Sequence, residues 1–254
     1  MNTLALKLTV TPLLILAASL ASRRWGEAVA GWLVGLPLTS APVCFFLALD
    51  QGPGFAATVS LGSLVGVVSE AAFVLLYSIV ARRSGWPLAL GAASVGFAFC
   101  GFLLTKATLP LWPAVIAALT ALVVVLVLMP RFASSAATLP RRPRWDIPAR
   151  MVVATTLVLG LTALAPHVGA RVGGLLSTYP VFATVLAVFG HHSRGAAAAV
   201  QVLRGLLIGL FAFIGFFAAL ALTIVPQGIA FAFVAATLLA LSVQGFSLWV
   251  MQRR

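Results

Sequence analysis

Acidic side chains are what this chain has least of: Glu27, Asp50, Glu70 and Asp146 are the four in 254 residues. Paired carboxylates for acid–base catalysis or metal ligation are therefore excluded, since Glu27 and Asp146 only flank apolar runs and Asp50 sits at the mouth of one. HExxH, GxSxG and phosphate-loop motifs are also missing, and Lys106 lies at a run's end, where it serves no serine. No enzymatic activity, cofactor or metal is expected. Cysteine is nearly absent too, and Cys44 and Cys100 both fall inside apolar runs, which rules out a disulfide framework or a CxxC metal site. Charge of either sign is scarce: 8% of residues, against about 25% in a soluble domain.

What fills the chain instead is hydrocarbon, with 62% apolar residues and a mean hydropathy of +1.15. A formal charge of +12 would suit nucleic acid. Here, however, the arginines border apolar runs and are not interleaved with aromatics on an exposed face, so they are a topology signal. The partners expected are a lipid bilayer and a small solute, with no nucleic acid.

A bilayer crossing takes about 20 mostly apolar residues. That ruler gives nine spans, near Leu4–Ala21, Ala28–Leu49, Phe55–Val80, Pro87–Leu104, Leu109–Met129, Pro148–Ala165, Val172–Phe189, Ala196–Val225 and Ile229–Val250. The expected fold is an all-α polytopic membrane helix bundle in a single integral domain. Arg131–Ala149, rich in Pro, Ser and Arg, reads as a linker between halves. Arg23, Arg24, Arg82, Arg83, Arg131, Arg141, Arg142, Arg144, Arg150, Arg194, Arg253 and Arg254 then lie on one side. The positive-inside rule puts the N-terminus outside and the C-terminus in the cytoplasm, as for a bacterial inner (plasma) membrane protein. The first span has a rival reading as a signal peptide ending in Ser19-Leu20-Ala21. Cleavage there would leave Arg23 and Arg24 on the wrong side.

One phrase occurs twice. Val34-Gly35-Leu36-Pro37-Leu38-Thr39-Ser40-Ala41-Pro42-Val43 returns as Val172-Gly173-Gly174-Leu175-Leu176-Ser177-Thr178-Tyr179-Pro180-Val181. At the same shift Gly52 meets Gly190 and Phe73 meets Phe211. This predicts two four-helix repeats, 1–106 and 148–254, joined by a connector helix at 107–130 and a cytoplasmic linker at 131–147. An offset of five helices is odd, so the repeats enter the membrane in opposite directions. The plan resembles secondary transporters built on inverted repeats, a resemblance of architecture that transfers no residue.

Pro37 and Pro42 each lack an N–H and clash with the carbonyl one turn earlier, so the second span should unwind between them. Freed carbonyls at membrane depth are tolerated only in protein or beside a wet cavity. Gly35, Pro37, Pro42, Gly173, Gly174 and Pro180 are thus the expected helix breaks. Thr39, Ser40, Ser177 and Thr178 are the expected binding hydroxyls; the competing role for them is bonding back to their own helix.

Glu70 and Arg204 lie inside spans, about 15 to 18 Å from the inner face at 1.5 Å per residue, in equivalent helices of the two repeats. An inter-repeat ion pair is the economical expectation; if it parts during a cycle, Glu70 carries a proton and Arg204, with Gln201 on its face, holds an anionic solute. His191, His192 and Arg194 form a basic cluster after the seventh span, and His167, Lys106 and most of the tryptophans read as interfacial anchors. The function expected is secondary-type transport of a small or amphipathic solute, proton-coupled if Glu70 and Arg204 part. The alternative is a non-catalytic scaffold or assembly subunit, and an intramembrane lipid enzyme would need a pocket joining His191, His192 and Arg204.

Overall fold

The computed structural model describes residues 3–104, 109–130, 145–164 and 178–252. Among these there are ten α-helices and no strand. They are α1 (Thr3–Trp25), α2 (Glu27–Val34), α3 (Ser40–Gln51), α4 (Pro53–Val80), α5 (Trp86–Leu104), α6 (Leu111–Leu128), α7 (Asp146–Leu164), α8 (Val181–Arg194), α9 (Ala196–Gln227) and α10 (Ile229–Gln252). Six of them, α4, α5, α6, α7, α9 and α10, are long and apolar enough to cross a bilayer, and the chain is an integral membrane helix bundle.

Side-chain size is sorted from inside to outside. Ala89 and Ala93 on α5, Ala114 and Ala118 on α6, and Ala232, Ala236 and Ala240 on α10 recur every four residues and are buried. Leu88, Val127 and Phe246 point outward. Lipid tails are as apolar as leucine, so helices gain little by hiding large side chains from them; close approach of small residues is the stabilising element.

The central helix is α9, which packs on α2, α4, α6, α8 and α10. Its tightest neighbour is α2. A Cβ added at Gly31 would lie 1.8 Å from the Val202 carbonyl oxygen, and one at Gly205 would lie 1.9 Å from that of Ala28. One turn on, Gly35 and Gly209 meet Cα to Cα in the same way, with a Cβ on Gly35 only 2.7 Å from the Gly209 Cα. Each helix thus carries a Gly-x-x-x-Gly pair, and the two pairs interlock with both chains running the same way. Gln244 of α10 secures the crossing by donating 3.0 Å to the Trp32 carbonyl, and the Trp32 indole N–H donates 2.9 Å to Ser247.

The remaining contacts pair up. Helix α4 packs on α5 as α9 packs on α10; α3 packs on α4 as α8 packs on α9; α4 meets α9, α1 meets α7, and α6 touches both α4 and α9. The junctions pair as well. Gly52 precedes α4 at φ 88° and Gly195 precedes α9 at φ 84°, a backbone state that only glycine adopts at low cost. Gly26 before α2 and Gly228 before α10 share that backbone state. Helix α8 carries His191, His192 and Arg194 in its last turn.

Because the α2–α9 approach leaves no space for a methyl group, Gly31→Ala and Gly205→Ala should each lower stability by about 1–3 kcal/mol or more, as overpacked cores do. Gly245→Ala, on an exposed face of α10 with open space around it, should be neutral or slightly stabilising. Thermal unfolding of the purified protein in detergent measures both.

Candidate functional site

The span expected over Ala28–Leu49 is two helices, broken at 35–39. The unwinding begins upstream of both prolines. Pro37 forbids an intact helix through the carbonyl of Leu33, so α2 stops at Val34. Pro42 falls in the first turn of α3, where a missing N–H has no partner to lose, so it starts α3 rather than kinking it. In the gap the Leu38 N–H turns back to the Leu36 carbonyl at 2.8 Å. Many hydroxyls elsewhere follow the bland course and donate to the carbonyl four residues back, as Ser60, Ser63, Ser78, Thr155 and Thr223 do. Those of Thr39 and Ser40 make no hydrogen bond among the described residues, and Thr39 opens onto a small crevice walled by Leu14, Val34, Leu36, Leu38 and Phe182.

Of the segment expected to hold the second break, Thr178 onward is described; Gly173, Gly174 and Ser177 lie outside the described residues. Here the Val181 N–H turns back to the Tyr179 carbonyl at 2.8 Å, the same two-residue closure as in the first break, and α8 begins directly after Pro180. The segment rests on α4 and α5. The Thr178 methyl lies 3.3 Å from where a Cβ on Gly66 would be. The Tyr179 ring meets Phe73 and Phe97 edge to face at 5.7 and 5.4 Å, and its hydroxyl is 2.9 Å from that of Ser94. Further along, the Tyr77 hydroxyl is 3.2 Å from His191 Nδ1. Burial holds the His191 imidazole below its ordinary pKa, so at neutral pH it is uncharged beside the phenol.

Glu70 lies on the face of α4 whose Gly66 and Phe73 meet this segment. Gly66, Glu70, Phe73 and Tyr77 recur at helical spacing along one face of α4. Glu70 therefore sits between the turn that meets Thr178 and the turn that meets Tyr179. The expected pair with Arg204 is not among the ion pairs of the described residues. Arg204, half-buried on α9, directly precedes the Gly205 that is pressed against α2, and Gln201 one turn earlier is exposed.

The ion pairs that do form gather at the arginine-rich end. Glu27, at the start of α2, pairs with Arg194, at the end of α8, and accepts a 2.7 Å hydrogen bond from the Ser22 hydroxyl of α1. Asp146, at the start of α7, pairs with Arg150 at 3.1 Å and with Arg23 of α1 at 3.9 Å. The Arg150 guanidinium, fully buried, lies over the Phe189 ring at 5.3 Å. Glu27 and Asp146 flank the apolar runs, yet they are only 3% and 4% exposed. The only signal for them was that two of four acids stood next to arginines.

No family model, curated protein or solved structure matches the chain.

A buried charge stripped of its partner is far costlier than an apolar pair of similar size. Glu27→Gln or Arg194→Met alone should thus cost about 3–5 kcal/mol, and Glu27→Leu combined with Arg194→Leu should recover most of that. A double-mutant cycle of thermal unfolding in detergent reads the coupling.

Proposed function

We propose that this chain is a secondary-type transporter of a small or amphipathic solute, coupled to protons through Glu70 and working at the two helix breaks. The observation that carries the reading is Glu70: a carboxyl inside a membrane span, with no ion pair among the described residues, on the α4 face whose Gly66 and Phe73 meet Thr178 and Tyr179. Ionisable groups at that depth are costly, and they mark ion or substrate pathways by default. The unspent hydroxyls of Thr39 and Ser40 at the first break support it as well.

The paired helix contacts, with α6 touching both α4 and α9, favour two inverted repeats and a connector. On that plan the N-terminus is outside and the arginine-rich end faces the cytoplasm. The Glu27–Arg194 and Asp146–Arg150–Arg23 clusters would then hold the cytoplasmic side shut by tying α1, α2, α7 and α8 together. Transport requires that they part in turn. A scaffold is the second reading, favoured by the smallness of the crevice at Thr39.

Two measurements separate these. In a Cys44→Ala, Cys100→Ala background, Thr39→Cys should react with a membrane-impermeant maleimide, whereas a scaffold's dry packing protects it. In proteoliposomes carrying a pH-sensitive dye, a solute mixture should drive proton movement that Glu70→Gln reduces at least tenfold; equal movement in the variant removes Glu70 from the cycle.

A further inference from the structure

Helices α2 and α9 touch through backbone, but α4 and α8 meet through rings. Phe73 and Tyr77 from α4, Phe97 from α5, and Tyr179 and His191 from the second break and α8 form one continuous aromatic layer, with neighbouring centroids 5.4 to 6.2 Å apart. Both tyrosines of the chain are in it. Their hydroxyls are engaged at the edges, Tyr179 with Ser94 and Tyr77 with His191, and the Phe73, Tyr77 and Phe97 rings are buried, so side chains alone fill the seam. Glu70 stands on the same face of α4, one turn from Phe73 and two from Tyr77. A seam closed by side chains opens by rotamer changes, without moving a backbone.

We infer that this ring-filled seam binds a lipophilic organic cation, with Glu70 as its counter-charge and Phe73, Phe97 and Tyr179 as its walls. The inference rests on the reading of Glu70 as the coupling group and adds the substrate class. Ring faces attract cations by their quadrupole, most strongly where water is excluded, and quaternary ammonium groups are recognised by such walls. A carboxylate in the same seam attracts a cation, repels an anion and offers nothing specific to a neutral solute. Left alone in an apolar setting it is costly and takes up either a proton or a cation. Binding is then an exchange: the carboxyl O–H bond breaks, the electron pair stays on Glu70, the proton leaves to water and the cation takes its place. Opposed gradients of proton and cation are coupled by that competition.

The charged and titratable groups on the elements around Glu70 are few. Helix α9 carries Arg204, α5 carries Cys100, α3 carries Cys44 and Asp50, and α6 carries none. Tyr179 stands at the break, while Tyr77 and His191 lie further toward the arginine-rich end. Arg204 directly precedes the Gly205 of the α2–α9 crossing, whereas Glu70 shares a face of α4 with Gly66 and Phe73, and no ion pair joins the two among the described residues.

The test uses the full chain in detergent with tetraphenylphosphonium as the probe and tetraphenylborate as its anionic isostere. The expected result is saturable binding of the cation alone, weakening as pH falls, with about one proton released per cation into lightly buffered solution. Glu70→Asp should keep binding, Glu70→Gln should abolish it, and Tyr179→Leu should weaken it about tenfold. Binding without proton release, equal binding of the borate, or affinity unchanged in Glu70→Gln overturns the inference. The wild-type proton count remains decisive even where a variant fails to fold. Should the phosphonium not bind while another solute still drives Glu70-dependent proton movement, the substrate class is wrong and the transporter stands. Proton-releasing phosphonium binding without any flux upholds the cation site and removes transport.

Discussion

Everything else in this bundle is arranged around one contact without side chains, the crossing of α2 and α9 at Gly31, Gly35, Gly205 and Gly209. Soluble proteins hold helices together by hiding apolar surface from water, a force that has little purchase between helices in lipid. Backbone-to-backbone approach replaces it, and it demands that four particular residues have no Cβ. Helix α2 is only eight residues long, too short to be a stable helix by itself, and owes its place to this crossing and to the Trp32 hydrogen bonds from α10. The crossing ends where α2 ends, at Gly35, so the first helix break hangs from a clamped support.

The second break is held by different physics. Thr178 and Tyr179 lie on Gly66, Phe73 and Phe97, and ring edges together with a tyrosine–serine hydrogen bond do the work that glycines do at the first. One side of the bundle is thus tight and made of backbone, while the other is spaced by aromatic side chains. At the arginine-rich end a third kind of contact, buried ion pairs, links α1, α2, α7 and α8. Such pairs add little net stability against an apolar replacement, but they resist partial opening, because a separated pair leaves charges stranded. A bundle with one rigid seam, one side-chain seam and one charge-latched end has a natural division between what stays and what moves.

Much of this was legible in the chain. Hydropathy placed the ends of α4, α5, α6, α9 and α10 to within a few residues, because a long apolar run that ends in Gly, Pro or Arg has few other options. The proline and hydroxyl phrase located the first break, although the exact unwinding at 35–39 depends on where each ring strikes the preceding turn. Less accessible were the partners. Glu70 and Arg204, judged by depth alone, looked like a pair; depth along a helix says nothing about azimuth, and on α4 the face shared by Gly66, Glu70 and Phe73 turns to the second break. The burial of Glu27 and Asp146 was not legible either, since their position at helix ends hides how neighbouring helices close over them.

Composition and hydropathy alone determined that this is a helical membrane protein, where its apolar segments run and that the one over Ala28–Leu49 is interrupted, since each of those properties is local: a bilayer thickness, a missing N–H, a glycine at a joint. Tertiary structure decided which faces meet. The pairing of Arg194 with Glu27, the interlocking of two Gly-x-x-x-Gly pairs distant in the chain, and the gathering of both tyrosines beside α4 all follow from helix rotation and approach. Those are set by many weak contacts summed across the bundle, and no single stretch of sequence contains that sum.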